Sequence, residues 1–192
     1  MKQLFIFLFL IGSSAFANLC KGQVDTFAIN TIGVEIFDAF KDKSHEQYQL
    51  VLMSKSDYRN IIRKTKWDLF PKYKFKQGYN FLIKKAERQF DLVVQKGEYQ
   101  DIDWSTITFE KFVFHSEETQ LINQVESEPA GFMVDCHLVF KVNNVYYTIV
   151  GIKLLKFGKD YKIYNSPEGV YPIRLEEYIA TDFIDLYKNG TN

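Results

Sequence analysis

The sequence is short of cysteine, of proline and of any excess charge. Its 192 residues include two cysteines and four prolines, and 24 lysines and arginines balance 24 aspartates and glutamates. Two thiols allow at most one intramolecular disulfide, and no CxxC or Cys/His spacing indicates zinc. Nucleic-acid-binding proteins usually carry an excess of positive charge. This chain has a net charge of zero, so no nucleic-acid partner is expected. A hydrophobic content of 46% is too high for a disordered protein and suits one domain with a buried core.

Long hydrophobic runs are also missing. The N-terminal run at residues 4–11 has eight apolar residues, whereas a membrane-spanning helix needs roughly 20, so no transmembrane segment is expected. A short basic start precedes this run, and a small-x-small sequence follows it at residues 15–17, which is the layout of a signal peptide. We predict that residues 1–17 form a signal peptide cleaved before Asn18. Residues 18–192 then form a single domain that is secreted or periplasmic.

The two cysteines leave two further questions open. Cys20 follows the predicted cleavage site, but Leu19 stands where a lipid-modified cysteine prefers a small residue, so a lipoprotein is the less favoured alternative. Export would allow a Cys20–Cys136 disulfide to persist. Cys136 lies in an alternating apolar stretch where a buried thiol acts as a small hydrophobe, and free thiols are slightly favoured.

Apolar residues recur at helical spacing throughout the first half of the chain. They predict helices over residues 24–40, 45–53 and 79–95, and a capping box at residues 54–57 opens another helix. We expect Gly97 to stop the long helix, and we expect residues 67–76 around Pro71 to form a loop or a short edge strand.

The second half changes to the alternating period of β-strands. Strands are predicted over residues 106–115, 132–142, 145–156 and 161–165, and a last helix is predicted after Pro172. Asn143-Asn144 is a two-residue hairpin turn, which would place Cys136 opposite Gly151. Helices followed by antiparallel strands predict an α+β domain.

This order of elements, the helix over residues 79–95 and the junction Asp101-Ile102-Asp103-Trp104 resemble the cystatin-like, NTF2-like superfamily. The resemblance covers most of residues 24–165. It implies N-terminal helices packed on a curved antiparallel sheet, the NTF2-like cone, with the C-terminal helix as an addition. The chain looks like the small exported members of that superfamily that have no assigned role.

Histidines are the first candidates for catalysis, and the chain has three. Enzymes of the superfamily, such as those resembling ketosteroid isomerase, place Asp or His pairs inside the cone, which implies a lyase or isomerase as one alternative. Asp135 and His137 share one strand face and would form such a pair, and His115 ends another strand. Because their face is the less apolar one, we expect this pair to point away from the helices. No catalytic or phosphate-binding motif, cofactor or metal site is indicated.

Charge is unevenly distributed along the chain. Residues 55–88 carry eleven basic and three acidic residues, whereas residues 91–135 carry two basic and ten acidic ones. These stretches either neutralise one another in the fold or leave a basic patch for a partner. The candidate patch consists of Arg59, Arg63, Lys64, Lys66, Lys84, Lys85 and Arg88.

The sequence favours a small binding or interaction domain over an enzyme. Its expected partner is a protein or a small apolar ligand. An assembly factor that uses the basic patch or the sheet face is the other alternative. Val139, Val150, Ile152 and Leu154 are expected to make the second sheet face partly apolar, which suggests a homodimer through that face.

Export gives the first testable prediction. If residues 1–17 are removed by signal peptidase, N-terminal sequencing of the exported protein will begin at Asn18. An exported chain that still begins at Met1 would contradict the signal-peptide prediction.

Overall fold

The computed structural model describes residues 25–64, 72–114, 119–121, 131–157, 160–165 and 172–177. Several predictions therefore lie outside the described residues: the signal peptide, Cys20, His115, Lys66 and the predicted C-terminal helix beyond residue 177. No helix among the described residues has both the length and the hydrophobicity needed to cross a membrane.

In the described part of the chain, four helices precede an antiparallel sheet, which confirms the α+β class. The helices are α1 (Thr26–Lys41), α2 (His45–Val51), α3 (Lys55–Lys64) and α4 (Lys72–Glu98). The strands are β1 (Thr108–Phe114), β2 (Thr119–Leu121), β3 (Gly131–Val142), β4 (Val145–Phe157), β5 (Asp160–Asn165) and β6 (Ile173–Arg174). Short 3₁₀ turns cover Trp104–Thr106 and Leu175–Glu177. The sheet order is β1-β3-β4-β5, with β2 also paired to β3 and β6 to β4.

Local capping sets the ends of α1 and the start of α2. The Asp25 carboxylate accepts from the Ala28 amide at 3.1 Å and caps the first turn of α1. Lys43 takes a left-handed conformation with φ 51°, and the Ser44 amide reaches back to the Ala39 carbonyl at 2.9 Å. This Schellman motif ends α1 without a glycine. The Ser44 side chain then caps α2.

The predicted capping box at the start of α3 is confirmed. The Ser54 hydroxyl accepts from the Asp57 amide at 3.1 Å, and the Asp57 carboxylate accepts from the Ser54 amide at 3.0 Å. Two backbone donors without helical partners are thereby satisfied, which fixes where α3 begins.

Helix α4 is longer at both ends than predicted. It starts at Lys72, so residues 72–76 are helical rather than loop or edge strand. A proline just before a helix is compatible with it, because donors in the first turn have no intrahelical partner. Gly97 does not stop the helix. The left-handed residue is Asp101, with φ 58°, and the Ile102 amide closes a second Schellman motif on the Gly97 carbonyl at 3.0 Å.

Gly97 instead makes room for Trp104. A Cβ atom at Gly97 would lie 2.4 Å from the Trp104 ring. The indole N–H donates to the Val94 carbonyl at 3.0 Å, so this polar atom is satisfied although the side chain is buried. The last turn of α4 is therefore held against Trp104 by a hydrogen bond and by close packing.

Aromatic side chains form the centre of the core. Phe40 of α1 stacks on Phe90 of α4, with ring centroids 4.8 Å apart, and on Trp104 at 5.8 Å. Trp104 continues to Phe140 of β3 at 5.6 Å, and Phe140 stacks on Tyr147 of β4 at 5.7 Å. The contacts join two helices to the two central strands in one apolar cluster.

The β3–β4 hairpin is confirmed, but part of its predicted register is wrong. Asn143 and Asn144 both have positive φ and form the two-residue turn. Cys136 pairs with Ile152, not with Gly151, because the register shifts between Cys136 and Leu138. Gly151, with φ 74°, lies in this bulge on β4.

The bulge changes which side chains of β4 reach the core. Ile152 and Leu154 pack in the main core beside α1 and α4, not on the second sheet face as predicted. An extra residue in one strand inverts the faces of the residues beyond it. Val139 does lie on the second face, buried with Val113 beside Tyr146 and Leu175.

The predicted C-terminal helix does not begin directly after Pro172. Ile173 and Arg174 pair with Thr148 and Tyr147 of β4. A 3₁₀ turn follows at Leu175–Glu177. Pairing with β4 competes with helix formation here, because the backbone N–H and C=O groups that bond to β4 are then not available for hydrogen bonds within a helix.

Replacement of Gly97 by alanine tests the contact with Trp104. Alanine favours a helix by about 0.5–1 kcal/mol, but forcing a methyl group into this contact costs about 1–3 kcal/mol, so Gly97→Ala should lower the free energy of unfolding. Urea denaturation followed by circular dichroism will measure the difference.

Gly78→Ala in the same helix is the matched control. A Cβ atom there meets the Tyr58 hydroxyl at 2.6 Å, the end of a flexible side chain that can move aside. This variant should be within about 1 kcal/mol of the parent protein. Equal stability of the two variants would show that Trp104 does not hold α4 at Gly97.

Candidate functional site

Asp135 and His137 do not line the space between helices and sheet. Their neighbours Val134, Cys136 and Leu138 point into the main core, and alternation along β3 puts Asp135 and His137 on the other face. Asp135 forms an ion pair with Lys153 of β4 at 3.3 Å. His137 is 8% exposed, so the second sheet face is less exposed to solvent at this position than its polar residues predicted.

Cys136 lies in the core, and it forms no disulfide with another described residue. Its side chain is fully buried, and its sulfur lies 3.7 Å from the Val134 carbonyl. Burial raises the pKa of the Cys136 thiol well above its usual range, and the Asp135 charge adds to the effect. Since Cys20 lies outside the described residues, the disulfide between the two stays untested.

The candidate basic patch is divided between two helices. Arg59 and Arg63 are exposed on α3, Lys84 and Arg88 are exposed on α4, and Lys85 is half-buried. Lys66 and the side chain of Lys64 lie outside the described part of the structure.

The acidic stretch forms ion pairs with residues outside the basic stretch. Glu98 forms an ion pair with Lys43 and Asp135 forms one with Lys153, while Asp91 forms a hydrogen bond with His45. Asp103 caps the 3₁₀ turn, and hydrogen bonds from Ser105 lower its pKa. Glu98 and Asp103 thus stabilise the region where α4 ends and the chain turns toward β1.

A cleft of about 590 Å³ opens where α2 ends beside α4. Its walls come from the C-terminal end of α2 and the following chain, from one face of α4, and from β5. The lining residues are Gln49, Leu50, Leu52, Met53, Ser54, Tyr79, Asn80, Ile83, Lys84, Glu87 and Lys162.

Unequal helix lengths create this cleft. Helix α2 has seven residues and α4 has 27. The two helices lie side by side and are connected by two hydrogen bonds. His45 Nε2 lies 2.7 Å from Asp91 Oδ1, and Gln49 Nε2 donates to Glu87 Oε1 at 2.6 Å. Beyond the end of α2 the chain is extended, and α4 continues without this neighbour.

The chain after α2 is anchored to the sheet. Leu52 forms a parallel bridge with Ile163 of β5, and the Met53 amide donates to the Ile163 carbonyl at 3.2 Å. Both Leu52 and Met53 are buried. This segment therefore forms a fixed floor for the cleft.

Two polar side chains hold the walls in place. The Lys162 ammonium donates to the Leu50 carbonyl at 2.8 Å, a contact between residues 112 positions apart. The Tyr79 hydroxyl donates to the Met53 carbonyl at 3.4 Å. Partial burial, with a smaller effect of Asp57, raises the pKa of Tyr79, so Tyr79 remains a neutral donor at physiological pH.

Of the residues that line this cleft, only Lys84 belongs to the predicted basic patch. Lys162 stands between Tyr161 and Ile163 in a predicted strand. That pattern predicts an exposed strand residue and gives no indication of a binding site. Tyr79 and Ile83 were recognised as members of the long helix, where helical periodicity predicts burial and not a cleft wall. This face of α4 borders a cleft because α2 ends at Val51 and does not continue alongside it.

A second concavity of about 380 Å³ surrounds the His45–Asp91 pair. Lys43, Phe90 and Glu98 also line it. The Lys43–Glu98 ion pair and the His45–Asp91 hydrogen bond are about half exposed, and polar contacts of this kind are strongly screened by water. Among the residues that the structure describes, no group of three or more metal-ligating side chains could hold an ion.

No family model, curated protein or solved structure matches this chain. Sequence, fold and site geometry therefore carry the functional argument.

Burial of Cys136 predicts slow thiol chemistry in the native state. In a Cys20→Ser variant, where Cys136 is the only thiol, Ellman's reagent should react slowly with the folded protein and fully in guanidinium chloride. Each unit of raised pKa removes about nine-tenths of the reactive thiolate, and burial blocks access as well. Rapid modification of the folded variant would contradict the burial of this thiol.

Proposed function

We propose that this chain is a small binding domain that acts after export, and that the cleft between α2, α4 and β5 is its binding site. The observation that carries the proposal is the construction of the cleft. A floor anchored to β5, fixed polar groups and an exposed leucine converge on one concavity. Concave sites with apolar walls and a few placed polar groups are typical of small-molecule binding.

The interior between helices and sheet gives less support to catalysis. Phe40, Trp104, Leu138 and Phe140 fill it with apolar side chains, and Asp135 lies on the opposite face in an ion pair with Lys153. A lyase or isomerase that uses the Asp135/His137 pair is therefore the weaker alternative. Acid–base catalysis needs such groups beside a bound substrate.

The export and superfamily proposals rest on the sequence pattern. The signal-peptide layout supports secretion or a periplasmic location. The order of four helices before an antiparallel sheet supports the NTF2-like arrangement. A partner protein at the basic patch stays a prediction. The homodimer through the second sheet face loses its predicted surface, because Ile152 and Leu154 lie in the main core and Val139 is buried.

Chemical-shift mapping tests the proposed binding site. We expect that indole, benzoate or benzylamine, which differ in charge, will shift the amide resonances of Leu50, Ser54 and Asn80 in ¹⁵N spectra. An Asn80→Trp variant should lose these shifts because the indole fills the cleft.

The matched control is Phe81→Trp, since Phe81 is exposed on α4 and does not line the cleft. It should keep the shifts. Shifts centred on Asp135 and His137 would favour the enzyme alternative, and a complete lack of shifts at the cleft with all three probes would contradict the binding proposal.

A further inference from the structure

We infer that the cleft takes a small amphipathic anion, an apolar body that carries one carboxylate or phosphate group. This inference rests on the proposed function and adds the chemical class of the ligand. It follows from the charges on the walls, from the fixed position of one lysine, and from the apolar surface beside them.

The charged walls of the cleft favour an anion. Lys84 is exposed on α4, and Lys162 approaches from β5. The carboxylate in the lining, Glu87, accepts a hydrogen bond from Gln49 at 2.6 Å. The lining itself therefore carries two cations and one carboxylate, and Asp57 acts on Tyr79 from outside the lining. An anionic group in the cleft would be attracted by both lysines.

Lys162 is held in position before any ligand binds. One of its three N–H groups donates to the Leu50 carbonyl at 2.8 Å, and an ammonium group has two more to donate. A lysine side chain normally loses rotamer entropy when it binds a ligand. The hydrogen bond to Leu50 has already restricted the Lys162 side chain, so less entropy is lost on ligand binding. It is therefore a prepared anchor for a carboxylate or phosphate oxygen.

Apolar surface lies next to these cations. Leu50, on the rim, is 70% exposed, and Ile83 of α4 is half-buried on the opposite wall. Covering an exposed leucine with an apolar group is favourable because that surface leaves water. The volume of about 590 Å³ lies within the range of small-molecule pockets.

Four probes that share a ten-carbon chain but differ in charge test this inference. Isothermal titration will compare decanoate, decyl phosphate, decanol and decyltrimethylammonium, below the critical micelle concentrations of the ionic probes and below the solubility limit of decanol. We expect the two anions to bind at least about tenfold more tightly than the cation, and their affinity to fall with added salt. The tighter anion identifies whether the cleft prefers a carboxylate or a phosphate.

Substitutions separate the cleft from the basic patch. Lys84→Gln should weaken decanoate binding about tenfold, because it removes a charged hydrogen-bond donor. Arg88→Gln, one helical turn further along α4 and outside the cleft lining, should change it less than about twofold. Lys162→Arg should retain binding better than Lys162→Gln, with thermal melts of both variants to confirm folding.

Two results would overturn the inference. One is equal affinity for the anions and for decyltrimethylammonium. The other is equal weakening by Lys84→Gln and Arg88→Gln, which would indicate a diffuse basic surface. If the cleft resonances shift with decanol or the cation but not with the anions, the ligand class is wrong and the binding site stands. If none of the four probes shifts them, the proposed binding site fails as well.

Discussion

Burial of Trp104 at the junction between the helices and the sheet is the constraint on which the rest of the structure depends. Its indole N–H donates to the Val94 carbonyl, its ring lies against Gly97, and the ring also contacts Phe40 and Phe140. Aromatic contacts of this kind add about 0.5–1.5 kcal/mol each beyond their buried area. One side chain thereby joins α1, α4 and β3, which are far apart in the sequence.

The position of α4 then determines the candidate site. With its C-terminal turn held at Trp104, α4 extends past the short helix α2, and the pairs His45–Asp91 and Gln49–Glu87 align the two. The cleft is the space that remains beyond the end of α2. Lys162 of β5 lines the side of the cleft next to the sheet, and its ammonium group donates to the Leu50 carbonyl. The binding proposal is thus a consequence of how the core is assembled.

Many local features could be predicted from the sequence because they depend on neighbouring residues. The capping box of Ser54 and Asp57 and the Asn143-Asn144 turn are confirmed. The errors occurred where distant contacts decide the outcome. Gly97 looked like a helix stop, but the space it leaves is occupied by Trp104. Ile152 looked like a residue of the second sheet face, but the bulge at Gly151 turns it into the core.

The sequence by itself determined the α+β class, most of the elements and the uneven distribution of charge, since periodicity and capping act over a few residues. The tertiary structure alone decided which lysines share a concave site. Lys84 and Lys162 line the same cleft because α2 ends early and β5 lies beside it. Asp135 and His137, two residues apart in the sequence, instead lie across the sheet from the core. Proximity between distant segments depends on packing, which a single sequence does not display.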